Sequence, residues 1–95
     1  MKTLIVGAGI SGLACADALA RSGQDVVLYE VSARAGGRIE TATVAGCRVE
    51  VGANFLSSTY RVIPRIAKRL GVALRPIRSR AGIIVDSAAL TYGPS

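Results

Sequence analysis

Gly7-Ala8-Gly9-Ile10-Ser11-Gly12 decides the fold. It lies between the apolar run Thr3-Leu4-Ile5-Val6 and a stretch from 11 to 22 built of Ala, Leu and Cys with one Asp and one Arg. The run at 3–6 reads as a buried parallel strand, and the stretch after it as a helix. A GxGxxG hexamer alone is weak evidence. Between a strand and a helix each glycine has a physical task. Gly7 allows the tight turn, Gly9 lets backbone approach a pyrophosphate, and Gly12 lets the helix pack closely on the strands. The small residues Ala14, Ala16 and Ala18 suit that close packing. Ser11 is the expected N-cap, Arg21 suits the C-terminal end of the dipole, and Gly23 is the expected stop. The helix N-terminus then presents unpaired N–H groups and partial positive charge to a phosphate.

Outward from this core, Val26-Val27-Leu28-Tyr29 is a second apolar run that ends at Glu30, 18 residues beyond Gly12. The whole is a β-α-β unit. An acid at about this spacing accepts hydrogen bonds from the ribose hydroxyls of an adenosine and repels a 2′-phosphate. The alternative is a strand-end carboxylate facing water. To this point NAD and FAD fit equally well.

The next residues separate the two. Arg34-Ala35-Gly36-Gly37-Arg38-Ile39-Glu40-Thr41 has the form R-x-G-G-R-x-x-T. It resembles the glycine-pair segment that follows the βαβ unit in flavin-dependent amine oxidases, phytoene-desaturase-like enzymes and protoporphyrinogen oxidases. The resemblance implies that Arg34, Gly36, Gly37 and Arg38 lie along an FAD pyrophosphate, with Arg38 on the cofactor. Paired glycines can turn backbone N–H groups toward an anion, and arginine can bind phosphate oxygens. Glu50-Val51-Gly52-Ala53-Asn54-Phe55 looks like the same superfamily's D/E-x-G-A/G stretch, which implies that Gly52, Ala53 and Asn54 lie near the flavin ring. The resemblance is good over 3–56 and looser through 57–70. It implies an α/β fold: the N-terminal part of a Rossmann-like FAD-binding domain, made of a βαβ unit, a β-hairpin and an amphipathic helix, and incomplete. The expected cofactor contacts are Gly7, Gly9, Ser11, Gly12, Glu30, Arg34, Gly36, Gly37 and Arg38, with Gly52, Ala53 and Asn54 beside the flavin.

The remaining elements read as follows. Ile39–Val44 and Arg48–Val51 are expected strands joined at Ala45-Gly46 as a hairpin. Ser57–Leu70 is expected as an amphipathic helix, with Val62, Ile63, Ile66, Ala67 and Leu70 on one face and Gly71 as its stop. Val72–Leu74 and Ile83–Val85 are expected short strands, and Tyr92-Gly93-Pro94-Ser95 a turn.

The chain has 95 residues, room for one domain over 1–95 with a modest core. Its hydrophobic fraction of 51% excludes a solvated disordered chain. Twelve Lys and Arg against six Asp and Glu give +6, which favours an anionic partner. Seven cations with no acid among them fall between Val51 and Val85: Arg61, Arg65, Lys68, Arg69, Arg75, Arg78 and Arg80. A small basic nucleic-acid-binding protein is therefore a competing reading. No aromatic set interleaves the cations and no nucleic-acid motif is present, so a solvated helix face is the preferred account. Cys15 and Cys47 form no CxxC pair, and with no His there is no zinc set. Two isolated cysteines fit a reduced, cytoplasmic protein, and Cys15 is expected to pack as a small hydrophobe. Met1-Lys2, the apolar run and Ala14-Cys15-Ala16 have the outline of a signal peptide, but three glycines interrupt it. No stretch is long enough for a membrane span.

Enzymes of the resembling superfamily are several times longer. Their substrate domain follows these segments, and a C-terminal stretch returns to complete the FAD domain. The expectation is thus an N-terminal fragment, a truncated gene product or one subunit of a split enzyme, completed by a missing region or a partner chain. The covalent-flavin cysteine of some members belongs to the missing part, so neither cysteine inherits that role. No catalytic residue is assigned: the only aromatics are Tyr29, Phe55, Tyr60 and Tyr92, and no substrate base is apparent. A non-catalytic module for NAD or FAD is the alternative function.

Overall fold

The computed structural model describes residues 1–78 and 81–92. Arg80 of the basic series and the expected turn at Gly93-Pro94-Ser95 lie outside the described residues. The chain divides into two compact units, Met1–Leu56 and Ser57–Ser95.

In the first unit, strand β1 (Lys2–Val6) pairs in parallel with β2 (Asp25–Tyr29), Leu4 opposite Val27 and Val6 opposite Tyr29. Helix α1 (Ile10–Arg21) connects them. Its N-cap is Gly9, not Ser11, and no side chain caps it. Ser11 already lies inside the first turn, two residues past the cap position. The C-terminus is as expected. Gly23 takes φ +85°, its N–H bonds to the Ala20 carbonyl at 3.0 Å, and the Gln24 N–H bonds to Leu19 at 3.1 Å. This paired arrangement satisfies the last carbonyls of the helix.

Alternation along β1 tells which side α1 covers. Thr3 and Ile5 are half-buried, whereas Leu4 and Val6 point the other way and are 61% and 87% exposed. Cys15 is also exposed, contrary to expectation. A two-stranded sheet is too narrow to cover both flanks of a helix, and Cys15 falls on an uncovered flank.

Strands β3 (Thr41–Val44) and β4 (Cys47–Glu50) form the expected hairpin, Val44 opposite Cys47 and Thr41 opposite Glu50. Ala45 and Gly46 both take positive φ, 49° and 77°, the conformation that a two-residue hairpin turn demands. Ile39 and Glu40 fall outside β3: the Arg34 loop described below holds the Ile39 backbone and the Glu40 side chain.

In the second unit, helix α2 runs only from Val62 to Arg69, shorter than the expected 57–70. Pro64 is the reason. It cannot donate a backbone hydrogen bond, and its ring would meet the carbonyl four residues earlier, so it fits only in a first turn. Ser57 and Thr59 instead form a local turn, with the Thr59 N–H donating to Ser57 Oγ at 3.2 Å. Ile63 and Ile66 are half-buried and Ala67 buried, while Val62 and Leu70 stay exposed. Gly71 terminates the helix at φ +72°. Residues 72–74 form no strand: Pro76 follows closely and removes a donor from the segment. The predicted strand at 83–85 is real and longer, β5 (Ala81–Val85). It pairs with an unanticipated β6 (Ala88–Tyr92) across Asp86 and Ser87, both at positive φ.

Candidate dinucleotide site

The glycine turn is tied to both of its neighbours through backbone. The Gly7 N–H donates to the Tyr29 carbonyl at 2.7 Å, locking the end of β1 to the end of β2. Ala8 is buried, with 2% of its surface exposed. Its N–H donates to Glu30 Oε1 at 2.9 Å, and its carbonyl accepts from the Gly36 N–H at 2.8 Å. Gly9 and Gly36 form a parallel bridge. Residues 7–9, Glu30 and residues 36–37 therefore meet at one point, the C-terminal end of a parallel strand pair. That is where open α/β sheets bind ligands.

The glycines divide by what surrounds them. A Cβ at Gly12 would collide with the Gly7 carbonyl oxygen and sit 3.6 Å from Ile5 Cγ2, so this position is closed by the fold itself. A Cβ at Gly37 would stand 3.3 Å from the Gly9 Cα, which shows how closely the second glycine segment is laid on the first. Gly9 is different. Its φ of −72° and ψ of 178° suit any residue, and a Cβ there would meet nothing within 4 Å. Nothing among the described residues requires glycine at position 9; a ligand would. Next to it, Ile10, Ser11 and Gly12 begin α1, so their N–H groups have no acceptor within the helix. The first turn contains no acid. A pyrophosphate fits this donor set.

Glu30 is engaged on both oxygens. Oε2 accepts from the Ser32 N–H at 2.8 Å and Oε1 from Ala8. The Ser32 N–H first, then the Ala8 N–H, hold its carboxyl below the ordinary glutamate value, against a smaller opposing effect of burial. A carboxylate offers about four lone-pair sites, so these two bonds leave room for a further donor. Ala8 and Ser32 were not singled out in the sequence. They act through backbone N–H groups, which leave no side-chain signature.

The two arginines of R-x-G-G-R have different surroundings. Arg34 is turned inward on its own loop: Nη2 donates to the Gly37 carbonyl at 2.7 Å and to Glu40 Oε2 at 3.0 Å. Its Nη1 donates to the Ala35 and Ile39 carbonyls at 3.1 and 3.2 Å. Arg38 is exposed, and among the described residues its guanidinium makes no hydrogen bond or ion pair.

Gly52 and Ala53 are brought beside this loop by the hairpin, and Asn54 follows them, exposed. The Val51 N–H donates to the Glu40 carbonyl at 3.0 Å, and the Ala53 N–H to the Arg38 carbonyl at 2.9 Å, prolonging the pairing beyond β3 and β4. A Cβ at Gly52 would collide with the Arg38 carbonyl oxygen. Gly52→Ala should therefore force these segments apart at a cost of about 1–3 kcal/mol. Faster amide exchange at Ala53 and a lower melting temperature would report it; unchanged exchange would mean that the approach is not needed.

Among the described residues no group of three or more His, Cys, Asp or Glu is placed to hold a metal, and no helix is long and apolar enough to cross a membrane.

Comparison with known proteins agrees with this arrangement. The family model described as flavin containing amine oxidoreductase matches residues 10–92. A Mycobacterium tuberculosis protein named as a flavin-containing monoamine oxidase is 38% identical over 76 residues, covering 80% of this chain and 17% of that protein. An L-amino acid oxidase of Cerastes cerastes is 36% identical over 75 residues, covering 77% of this chain and 14% of the relative. Among solved structures, a putrescine oxidase redesigned in its cofactor binding superposes with a TM-score of 0.77 at 32% identity, over 98% of this chain and 21% of that one. The chain thus spans about a fifth or less of the length of these relatives.

Proposed function

The chain belongs to the flavin containing amine oxidoreductase family, and from that premise we propose that it is the portion of such an enzyme that holds the ADP half of FAD. The observation that carries this reading is the free space at Gly9, facing the uncapped N-terminus of α1 and flanked by Glu30 and the Gly36-Gly37 segment. Ile10, Ser11 and Gly12 would offer their N–H groups to the pyrophosphate, and Arg38 would supply a cation to it. Glu30 would accept the ribose hydroxyls on its remaining lone pairs. Gly52, Ala53 and Asn54 would line the approach of the flavin. When bound, the flavin supplies the redox chemistry, and the chain's own residues bind and orient it.

Turnover needs more polypeptide than this. A parallel sheet is normally covered on both faces, yet Leu4 and Val6 of β1 are largely exposed opposite α1. We take the occupant of that face to be the rest of the enzyme, on the same chain or on a partner. The free thiols of Cys15 and Cys47 fit a reducing, cytoplasmic setting.

Calorimetric titration of the purified 95-residue chain with FAD, and with NAD in parallel, tests the reading. Saturable binding that prefers FAD is expected. Equal binding of NAD would replace it with a general dinucleotide module, and a folded chain that binds neither would remove the site.

Glu30 gives a second test. Glu30→Ala should weaken FAD binding by about ten- to a hundredfold if the carboxylate holds both hydroxyls; unchanged affinity would discard the ribose role. The acid side carries its own sign. Because folding lowers the Glu30 pKa, its contribution is complete above the ordinary glutamate range. It is lost as pH falls through the lowered native value. Melting temperature followed downward in pH should fall less steeply in Glu30→Gln than in the parent.

A further inference from the structure

We propose that Arg34 and Glu40 form a positioning clamp for the Gly36-Gly37 backbone, and that Arg34 is not itself a ligand of the cofactor; the consequence for FAD rests on the reading above. The guanidinium sits inside the ring of chain from 34 to 40. It holds three carbonyls of that ring and the Glu40 carboxylate at once. A planar fork with five donors can do this; an ammonium cannot. The ring needs holding. Gly36 at φ +114° and Gly37 at φ +58° are successive residues in the left-handed region, where the chain has the most freedom to lose. The clamped carbonyls of Ala35 and Gly37 are turned toward Arg34, which leaves the neighbouring N–H of Gly36 directed at the Ala8 carbonyl. The Ile39 N–H closes the ring on the Gly36 carbonyl at 3.0 Å. An exposed ion pair alone contributes little. Here Glu40 matters because it fixes the orientation of the fork that sets the carbonyls.

Glu40→Gln separates this proposal from direct phosphate binding by the sign of its effect. If Arg34 were a phosphate ligand, removing the carboxylate that competes for it, and a negative charge beside an anion site, would tighten FAD binding. If Arg34 and Glu40 are a clamp, the same change loosens the loop and weakens binding, by about threefold. Arg34→Lys keeps the charge and loses the fork, and should weaken binding by about tenfold. Amide exchange at Gly36 and Ile39, measured without FAD on the full 95-residue chain, should accelerate in both variants. Tighter FAD binding in Glu40→Gln, or exchange at Gly36 and Ile39 unchanged in both variants, would overturn the clamp. If the parent chain binds no FAD while exchange accelerates as expected, the clamp stands and the cofactor reading fails.

Discussion

Gly9→Val is expected to abolish measurable FAD binding, a loss of at least about a hundredfold, while the melting temperature of the free chain stays close to the parent value. Both halves follow from one observation. The backbone at Gly9 is extended in a way any residue adopts, and the space where its Cβ would stand is empty of protein atoms. The first carbon of a side chain there therefore meets no neighbouring part of the described chain. An isopropyl group does occupy the approach to the first N–H groups of α1. Two or more charge-assisted hydrogen bonds to a pyrophosphate, each contributing about 1.5–3 kcal/mol, would be lost or stretched. Calorimetry with FAD and a thermal melt without it check the two halves separately. Binding retained by Gly9→Val would mean that the pyrophosphate lies elsewhere. Binding lost together with the fold would mean that Gly9 serves the chain.

How much of this was legible in sequence depends on what each residue acts through. The βαβ unit was legible because apolar strands, a glycine turn and a glycine helix stop are each written in residue type. Gly23 and Gly71 end their helices at positive φ as read, and Ala45-Gly46 makes the hairpin turn. The errors have physical origins. Apolar periodicity extended α2 back to Ser57, yet Pro64 outranks periodicity, since its missing N–H confines it to a first turn. Strand β6 was missed because Asp86-Ser87 lacks the glycine that usually marks a two-residue hairpin turn. Tertiary pairing holds both residues at positive φ instead. At the site, the glycines and Glu30 could be named from spacing. The ties that bring them together could not. Ala8, Ser32 and Ala53 contribute only backbone N–H groups, and any residue but proline carries one. Arg34 illustrates a different limit: sequence shows a cation in a phosphate-binding motif, and only geometry shows which oxygens it faces.

Gly12→Ala should give the opposite result to Gly9→Val, although both positions belong to one hexamer. A Cβ at Gly12 would collide with the Gly7 carbonyl oxygen and stand 3.1 Å from the Gly7 carbonyl carbon. Neither atom is the end of a flexible side chain. The Gly7 backbone is fixed from the other side, because its N–H holds the Tyr29 carbonyl at 2.7 Å. To admit one methyl group, α1 must lift from β1, which also opens its contact with Ile5. Overpacking of this kind costs about 3 kcal/mol, and the glycine-to-alanine gain in helix propensity, about 1 kcal/mol, offsets only part of it. A small unit with few buried side chains has little stability to lose. The expected outcome is a chain that is largely unfolded at room temperature, or one whose melting temperature falls by about 10 °C. Circular dichroism on heating measures it. FAD should partly restore the melt if the variant still binds, since a ligand of the native state adds stability by mass action. A variant that melts like the parent would show that α1 can shift without cost. It would also remove close helix–strand packing as the reason for glycine at position 12.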